Sequence, residues 1–540
     1  MKLVSVAEMA AVEREADAGG LTYDQMMENA GQGLAEILED LAIEDSEREV
    51  LGLAGPGNNG GDTVVALAHL AASGWQARAY LVKRKKDARI KRLLDAGGEA
   101  VFADEDKDFE SLSAFVETAS LLLDGVLGTG VRLPLKGDVA NVLAETQTIL
   151  DKLEERPVVV AVDCPSGVDC DTGETAPEAI PADLTVTMAA VKQGLLKLPA
   201  FGLVGDLQVV DIGLPENLPS LGSLQAEVAE EDSVAALLPE RPLDSHKGTF
   251  GTALIAAGSV NYTGAALLAG QAAYRVGAGL VTLAVPAPLH AALAGQFPEA
   301  TWVLLPHEVG VISQAAAEVL SKNLARATAV LIGPGFGTED TTKEFIESLL
   351  SGKSVSKKST GRVGFVQAEG EKKADANAAF PPVVVDADGL KLLARIKNWQ
   401  TLLPAGAVLT PHPGEMAVLT GLSKEEIQAD RQSVAVKYAK EWGHVVVLKG
   451  AFSVIAAPDG RRVVIPVASP ALAHAGTGDV LAGLIVGLRA QGLEAFDAAM
   501  AGAWIHAQAG LYAADDLGTT ASVLASDVLN SVSDVLSDVG

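Results

Sequence analysis

The sequence predicts an α/β protein of two units in tandem, each built on a mostly parallel sheet. Three observations carry this reading. Short apolar runs recur between longer helical stretches, several of those runs end directly in glycine or aspartate, and a Pro- and acid-rich break separates one alternating series from the next. A chain of 540 residues with 49% hydrophobic content has enough apolar material for two sizeable cores.

In the first series, residues 7–17 and 26–41 read as helices. Apolar runs follow at 50–54, 79–82, 121–124, 158–163 and 184–187, with helical stretches such as 64–73 and 140–153 between them. Strands that alternate with helices in this way form a doubly wound sheet. The texture then changes from Leu214-Pro215 through Glu230-Glu231-Asp232 to Pro239-Glu240-Arg241-Pro242, which places a boundary near residues 220–240. We therefore expect domains at 1–220 and 235–530.

The second series has apolar runs at 254–257, 280–285, 330–332, 383–385, 407–409 and 445–448. Residues 351–382 interrupt it with a Lys/Ser/Gly/Glu-rich segment, read as a flexible surface insertion without a catalytic role. The uncharged stretch between Lys247 and Arg275 is long enough to suggest a membrane span. It is broken by Gly258-Ser259, Asn261, Tyr262-Thr263-Gly264 and Gly270, and so reads as a strand, a glycine loop and a buried helix.

Charge and cysteine content exclude several functions. The formal net charge is −29, which repels phosphate backbones, and the one compact basic run, Lys83-Arg84-Lys85-Lys86, reads as a solvated loop. Nucleic acid and membranes are discounted as partners. Cys164 and Cys170 are too few for a disulfide framework or a structural zinc site and fit reduced thiols in a cytoplasmic protein. The acidic residues near Met1 leave no apolar core for a signal peptide.

The chemistry sits at the ends of the apolar runs. Residues 50–54 lead into Gly55-Pro56-Gly57-Asn58-Asn59-Gly60-Gly61-Asp62 and a helix expected to start near Thr63; 121–123 end in Asp124; 158–162 end in Asp163. In an open parallel sheet, groups just beyond the strand carboxyl ends converge on one crevice, and glycine N–H groups at a helix N-terminus receive phosphate. In isolation the glycine segment reads first as a tight turn with Asp62 as N-cap.

Gly57-Asn58-Asn59-Gly60-Gly61-Asp62, Asp124-Gly125-Val126-Leu127-Gly128-Thr129-Gly130 and Asp163-Cys164-Pro165-Ser166-Gly167, with the helix Met26-Met27-Glu28-Asn29-Ala30-Gly31, resemble the epimerase family that acts on hydrated nicotinamide dinucleotides. The resemblance covers most of residues 1–215 and implies a Rossmann-like fold. It implies that Asn58, Asn59, Gly60, Gly61 and Asp62, together with Gly128, Thr129, Gly130, Val131, Arg132, Leu133 and Pro134, hold the dinucleotide. By the same resemblance Asn59, Asp124 and Ser166 supply oxygen ligands to a potassium ion, and Asp163 contacts the hydrated ring as acid/base. Thr63 departs from the family, which usually has another glycine there, and slightly narrows the backbone approach; Cys164 is a second unusual choice.

In the second series His474-Ala475-Gly476-Thr477-Gly478-Asp479 leads into an apolar helix. N–H groups at a helix N-terminus beside a carboxylate suit phosphoryl transfer to a hydroxyl, although a lone G-x-G-D reads equally as a helix cap. His246-Lys247-Gly248-Thr249-Phe250-Gly251, Gly258-Ser259 with Tyr262-Thr263-Gly264-Ala265, Gly333-Pro334-Gly335-Phe336-Gly337, Asp386-Ala387-Asp388, Thr410-Pro411-His412-Pro413-Gly414-Glu415 and Lys449-Gly450-Ala451 precede it in order. This series resembles the ribokinase-like dehydratases of hydrated NAD(P)H across roughly residues 240–515. The resemblance implies that Ala265, Gly337, His412 and Asp479 contact the hydrated dinucleotide, and that Lys449, Gly450, Ala451, Phe452, Ser453, Gly476, Thr477 and Gly478 bind the adenine nucleotide. Asp479 is then the catalytic base, with magnesium and ADP or ATP as the phosphoryl source. His506 reads as a packed histidine, and Asp386 and Asp388 as structural or as supports of the site.

Together the resemblances imply repair of hydrated NADH and NADPH: epimerisation of R and S forms by the first unit and nucleotide-dependent dehydration of the S form by the second. The expected partner is the small-molecule substrate, and the chain is expected to form a homo-oligomer. The alternative is a vitamin-precursor kinase of the same ribokinase-like fold, carrying an N-terminal unit that binds a nucleotide or acts as a scaffold without turnover.

Overall fold

The computed structural model describes residues 1–41, 43, 48–352 and 380–539. Of the expected insertion, residues 353–379 lie outside these. The chain forms two compact units, Met1–Val228 and Ala229–Gly540.

In the first unit, helices α1 (Val6–Ala18) and α2 (Tyr23–Glu39) precede strand β1 (Glu49–Ala54). Ser5 and Thr22 cap the two helices, each accepting a backbone N–H from the first turn. Helix α3 (Asn58–Ala72) follows, then β2 (Gln76–Leu81), β3 (Glu99–Phe102), β4 (Leu121–Gly125), helix α4 (Asp138–Leu150), β5 (Val158–Val162), β6 (Leu184–Met188) and β7 (Asp206–Val210). The sheet is parallel in the order β3-β2-β1-β4-β5-β6-β7, the Rossmann-like arrangement. Its central strands are covered on both faces. Leu121 and Leu123 join one cluster with Leu34, Leu38, Leu67 and Leu70, while Leu122 joins another with Val142 and Leu143.

Strand order reverses between β1 and β4, whose ends are in register: Ala54 lies opposite Gly125. The glycine loop therefore opens over the switch point. Helix α3 begins at Asn58 with Gly57 as its N-cap, not near Thr63, so Asp62 lies inside the helix and is not a cap. The reason is close approach: a Cβ on Gly60 would lie 2.2 Å from the Gly55 carbonyl oxygen, so glycine lets the helix start directly against the loop.

In the second unit the strands are β8 (Thr252–Ala256), β9 (Leu280–Pro286), β10 (Thr301–Leu305), β11 (Ala329–Ile332), β12 (Val383–Val385), β13 (Val408–Leu409), β14 (Val445–Leu448), β15 (Val454–Ala456) and β16 (Arg462–Val464). They run in the order β16-β15-β14-β13-β12-β11-β8-β9-β10, parallel except at the β14-β15-β16 edge. Helices α5 (Gly264–Arg275), α6 (Pro413–Thr420), α7 (Thr477–Ala490), α8 (Ala495–Leu517) and α9 (Ala525–Val539) carry much of the packing. This is the α/β class expected, a mostly parallel sheet with an antiparallel edge.

Helix α7 is buried along most of its length and packs against α5 through small residues. A Cβ on Gly483 would lie 2.3 Å from the Ala269 carbonyl oxygen. The uncharged stretch from residue 247 resolves into β8, a loop and α5, and no helix among the described residues is long and apolar enough to cross a membrane.

Candidate functional sites

At the switch point of the first unit, three strand ends come together. Asp124, the fourth residue of β4, is fully buried, and its Oδ2 accepts the Ser166 N–H at 2.7 Å. Burial pushes its carboxyl above the usual value, and the hydrogen bonds from Ser166 and Val126 oppose that. Ser166 Oγ accepts the Leu127 N–H at 2.8 Å, and Asn59 Nδ2 donates to the Leu127 carbonyl at 2.7 Å. Asn59 Oδ1 is buried and has no hydrogen-bond partner among the described residues. A buried amide oxygen left open beside a buried carboxylate and a serine is a donor set that fits a hard monovalent cation.

Asn58 is exposed at the start of α3, and Gly60 and Gly61 follow in its first turn. Residues 128–134 form a half-exposed loop after β4, and Gly128 comes against Asn59: a Cβ there would lie 3.2 Å from Asn59 Cβ. Asp62 is buried, and its carboxyl is pushed well above the usual value by burial first and then by the charges of Asp163 and Glu13. Thr63 does not narrow the ligand face. It is fully buried, its hydroxyl donates to the Asn59 carbonyl at 2.8 Å, and its side chain abuts Gly52 and Gly125 of the sheet.

The basic run is not uniformly solvated. Lys83, Lys85 and Lys86 are exposed, but Arg84 is buried. Its guanidinium donates to the carbonyls of Gly55 (2.9 Å) and Gly57 (3.2 Å) and to Asp87 (2.8 Å), which pins the glycine loop from behind.

Asp163 follows β5 with a left-handed backbone, φ 63°. Its Oδ1 accepts the Thr187 hydroxyl and the Met188 N–H, each at 3.1 Å, and the Lys192 ammonium. Sequence reasoning missed Lys192. The available signal was that it is the only charged residue between Leu184 and Leu196. Cys164 and Cys170 are buried and free.

In the second unit, the glycine turn after β11 is brought onto the start of α5: a Cβ on Gly335 would lie 2.9 Å from Ala265 Cβ. Gly337 donates its N–H to Asp388 Oδ2 at 2.9 Å, and Lys391 pairs with Oδ1 of the same carboxylate at 2.9 Å. His412 caps α6. Its Nδ1 accepts the N–H groups of Gly414 (2.9 Å) and Glu415 (3.3 Å), and the Glu415 carboxylate accepts the His412 N–H. Half of the His412 side chain stays exposed, with Nε2 3.2 Å from Glu415 Oε1. Burial opposes ionisation of Glu415, but the His412 hydrogen bonds and the Lys449 charge outweigh it and hold its carboxyl below the usual value.

Lys449 directly follows β14, its N–H donating to the Pro411 carbonyl at 2.9 Å. Its ammonium lies beside the first turn of α7: a Cβ on Gly478 would lie 3.5 Å from Lys449 Nζ. Gly450 and Ser453 close a turn on each other, Ala451 is exposed, and Phe452 is packed inward. Only the backbone and small side chains of this segment are therefore open to a ligand.

Gly476, at φ +94°, caps α7. The Thr477 hydroxyl is taken by the carbonyls of Leu472 and His474, both at 2.9 Å, and the Thr477 N–H reaches His474 at 3.4 Å. The N–H groups of Gly478 and Asp479 have no acceptor among the described residues, as helix geometry dictates for the first turn. Asp479 is pushed up to about 7, by burial first and then by the Asp386 charge, with Lys449 opposing. A carboxylate poised near neutrality beside free amides can take a proton from an alcohol while the amides receive an anion. His506 is buried, and burial lowers its ring to about 4, so it packs as a neutral histidine behind Thr477.

Such a chain is an α/β enzyme with two separate sites suited to phosphate-bearing ligands. Residues 23–194 match the family described as YjeF-related protein N-terminus, and residues 253–355 and 365–533 match the family described as NAD(P)H-hydrate dehydratase. The bifunctional NAD(P)H-hydrate repair enzyme of Moorella thermoacetica is 35% identical over 99% of this chain and 97% of its own length. That of Thermofilum pendens is 34% identical over 96% of this chain and 93% of its own. A solved ADP/ATP-dependent NAD(P)H-hydrate dehydratase from Bacillus subtilis is 29% identical, covering 59% of this chain and 100% of its own with a TM-score of 0.46. The chain belongs to the family of bifunctional NAD(P)H-hydrate repair enzymes.

Proposed function

We propose that the chain repairs hydrated NADH and NADPH, the first unit interconverting the R and S forms and the second dehydrating the S form. The observation that carries the reading is that the chain is 35% identical to a repair enzyme over 99% of its length. The kinase alternative is not favoured, since both matched families and the full-length relatives point to hydrate repair.

In the first unit, epimerisation needs loss of the ring hydroxyl, pushed by the ring nitrogen lone pair, and return of water to the other face. Asp163 is the acid/base that holds the travelling proton. The amides of Asn58, Asn59, Gly60 and Gly61 with Asp62, and the 128–134 loop, hold the dinucleotide, with Arg84 fixing the loop carbonyls from behind. Asn59, Asp124 and Ser166 would hold potassium, which supplies positive charge next to the substrate phosphates.

In the second unit Asp479 takes the proton of the ring hydroxyl, whose oxygen forms a bond to the terminal phosphorus of ADP or ATP as the bond to the leaving nucleotide breaks. Phosphate then departs from the ring carbon, and loss of a proton from the neighbouring carbon restores the double bond. Phosphate leaves where hydroxide would not. The α7 amides at Gly478 and Asp479 steady the phosphoryl group. Magnesium brought in with the nucleotide would supply positive charge to the phosphates. Ala265, Gly337 and His412 line the dinucleotide side, and Lys449–Ser453 with Gly476–Gly478 the adenine nucleotide side. We place the protein in the cytoplasm, acting on a small molecule as a homo-oligomer.

The test is recovery of reduced coenzyme from mixed hydrate epimers with magnesium and ADP or ATP. Complete recovery is expected. Recovery of the S fraction alone would refute epimerisation, and accumulation of a stable phosphorylated product would refute dehydration.

A further inference from the structure

A buried lysine is costly unless it is paired and its three N–H donors are satisfied. The Lys192 side chain is 2% exposed and meets both conditions. Its ammonium donates to Asp163 Oδ1, to Thr187 Oγ1 at 3.0 Å and to the Met188 carbonyl at 2.8 Å. Three partners use all three donors, so none is left for a substrate.

The arrangement at Asp163 is one-sided. Among the described residues every hydrogen bond to its carboxylate reaches Oδ1, from Lys192, Thr187 and Met188, and none reaches Oδ2. The Asp163 side chain is 14% exposed, so one oxygen is clamped while the other is left without a hydrogen bond among the described residues. The left-handed backbone at Asp163 turns the side chain toward β6 and the lysine that follows it.

We infer that Lys192 is a positioning residue of the epimerase site: its ammonium clamps Oδ1 of Asp163 and thereby aims Oδ2 at the hydrated ring. It acts through Asp163 and does not touch the substrate. The inference rests on the reading of Asp163 as the acid/base and deepens it.

The test measures epimerisation by the full chain in K192M, D163N and the double variant. K192M is expected to lower kcat about 100-fold with KM within about twofold, the order of one lost acid/base contribution. The double variant is expected to be no slower than D163N alone, because the clamp has nothing left to hold. K192R, which keeps a cation, is expected to recover at least about tenfold over K192M.

A K192M protein within about threefold of the parental kcat, a loss carried in KM, or losses that multiply in the double variant would each overturn the inference. Should K192M fail to fold, T187V carries the test, since it removes the hydroxyl shared by Asp163 and Lys192. A kcat loss in T187V that vanishes in the D163N background supports the clamp, and a full-rate T187V refutes it. If D163N keeps the parental rate, the acid/base reading itself fails. An inactive D163N beside a fully active K192M strikes the clamp alone.

Discussion

Lys449 and Asp386 form an ion pair at 2.6 Å beside the first turn of α7, with Glu415 Oε2 a further 3.8 Å from the same ammonium. The pair sets the charge that Asp479 faces. After burial, Asp386 is the largest influence raising the Asp479 carboxyl, and Lys449 is the largest opposing it.

A general base must be ionised, so the dehydration rate should climb as pH rises through about 7, the value to which Asp479 is pushed. D386N removes a neighbouring negative charge and leaves Lys449 less neutralised. Both changes favour the Asp479 carboxylate, so the ascending limb should move to lower pH. The pH profile of kcat under saturating substrates checks this; a limb that stays in place counts against Asp479 as the titrating base. D479N should lose about 100-fold or more while the epimerase rate stays unchanged.

The open Asn59 Oδ1 leads us to expect that epimerisation in the first unit depends on a monovalent cation. Replacing potassium by tetramethylammonium should slow epimerisation and leave it restored by added potassium, and N59A should be slow in either salt. Initial rates with purified R epimer report this directly. Equal rates in both salts for the parental protein would remove the cation from the site.

Adjacent glycines in α3 should respond unequally to a methyl group. At Gly60 a Cβ would strike Gly55 backbone atoms at 2.2 and 2.6 Å, whereas at Gly61 it would meet the flexible end of Met27 at 2.6 Å. G60A should cost more than about 2 kcal/mol and abolish epimerisation, while G61A should cost under about 1.5 kcal/mol. Urea unfolding of the two variants decides between them.

His412 caps α6 and keeps half of its side chain exposed, the half that would meet the substrate under the proposed function. Asparagine is also a good N-cap, so H412N should keep the parental stability yet raise KM for the hydrate several-fold. H412A should raise KM likewise and lose about 1 kcal/mol of stability. Thermal melts with steady-state kinetics separate the two; an unchanged KM in both variants would leave the histidine as a cap only.

The central strands were legible because burial on both faces makes them continuous apolar runs: residues 121–124, 158–163 and 383–385 fall on β4, β5 and β12. The strands at or next to the sheet edges, β3, β7, β10, β15 and β16, were not read. They are short or half-exposed, as in the exposed-to-intermediate pattern of Glu99–Phe102 and Thr301–Leu305. Helix α3 began five residues earlier than its composition suggests, because Gly60 and Gly61 are spent on close approach and not on a turn.

The same division holds at the sites. Asn59, Asp124, Asp163 and Asp479 announced themselves by standing at strand or helix ends. Arg84, Lys192 and Glu415 did not, since their roles depend on contacts across the fold with Gly55, Asp163 and Lys449. A lone lysine in an apolar stretch was the only trace of one of them.

Two self-contained units on a single polypeptide fix the ratio of their active centres at one to one, whatever the expression level of the gene. A mutation that slows either centre therefore cannot be offset by making more of the other alone. The slower step sets the throughput of the whole chain, so selection on turnover should press hardest on whichever unit lags.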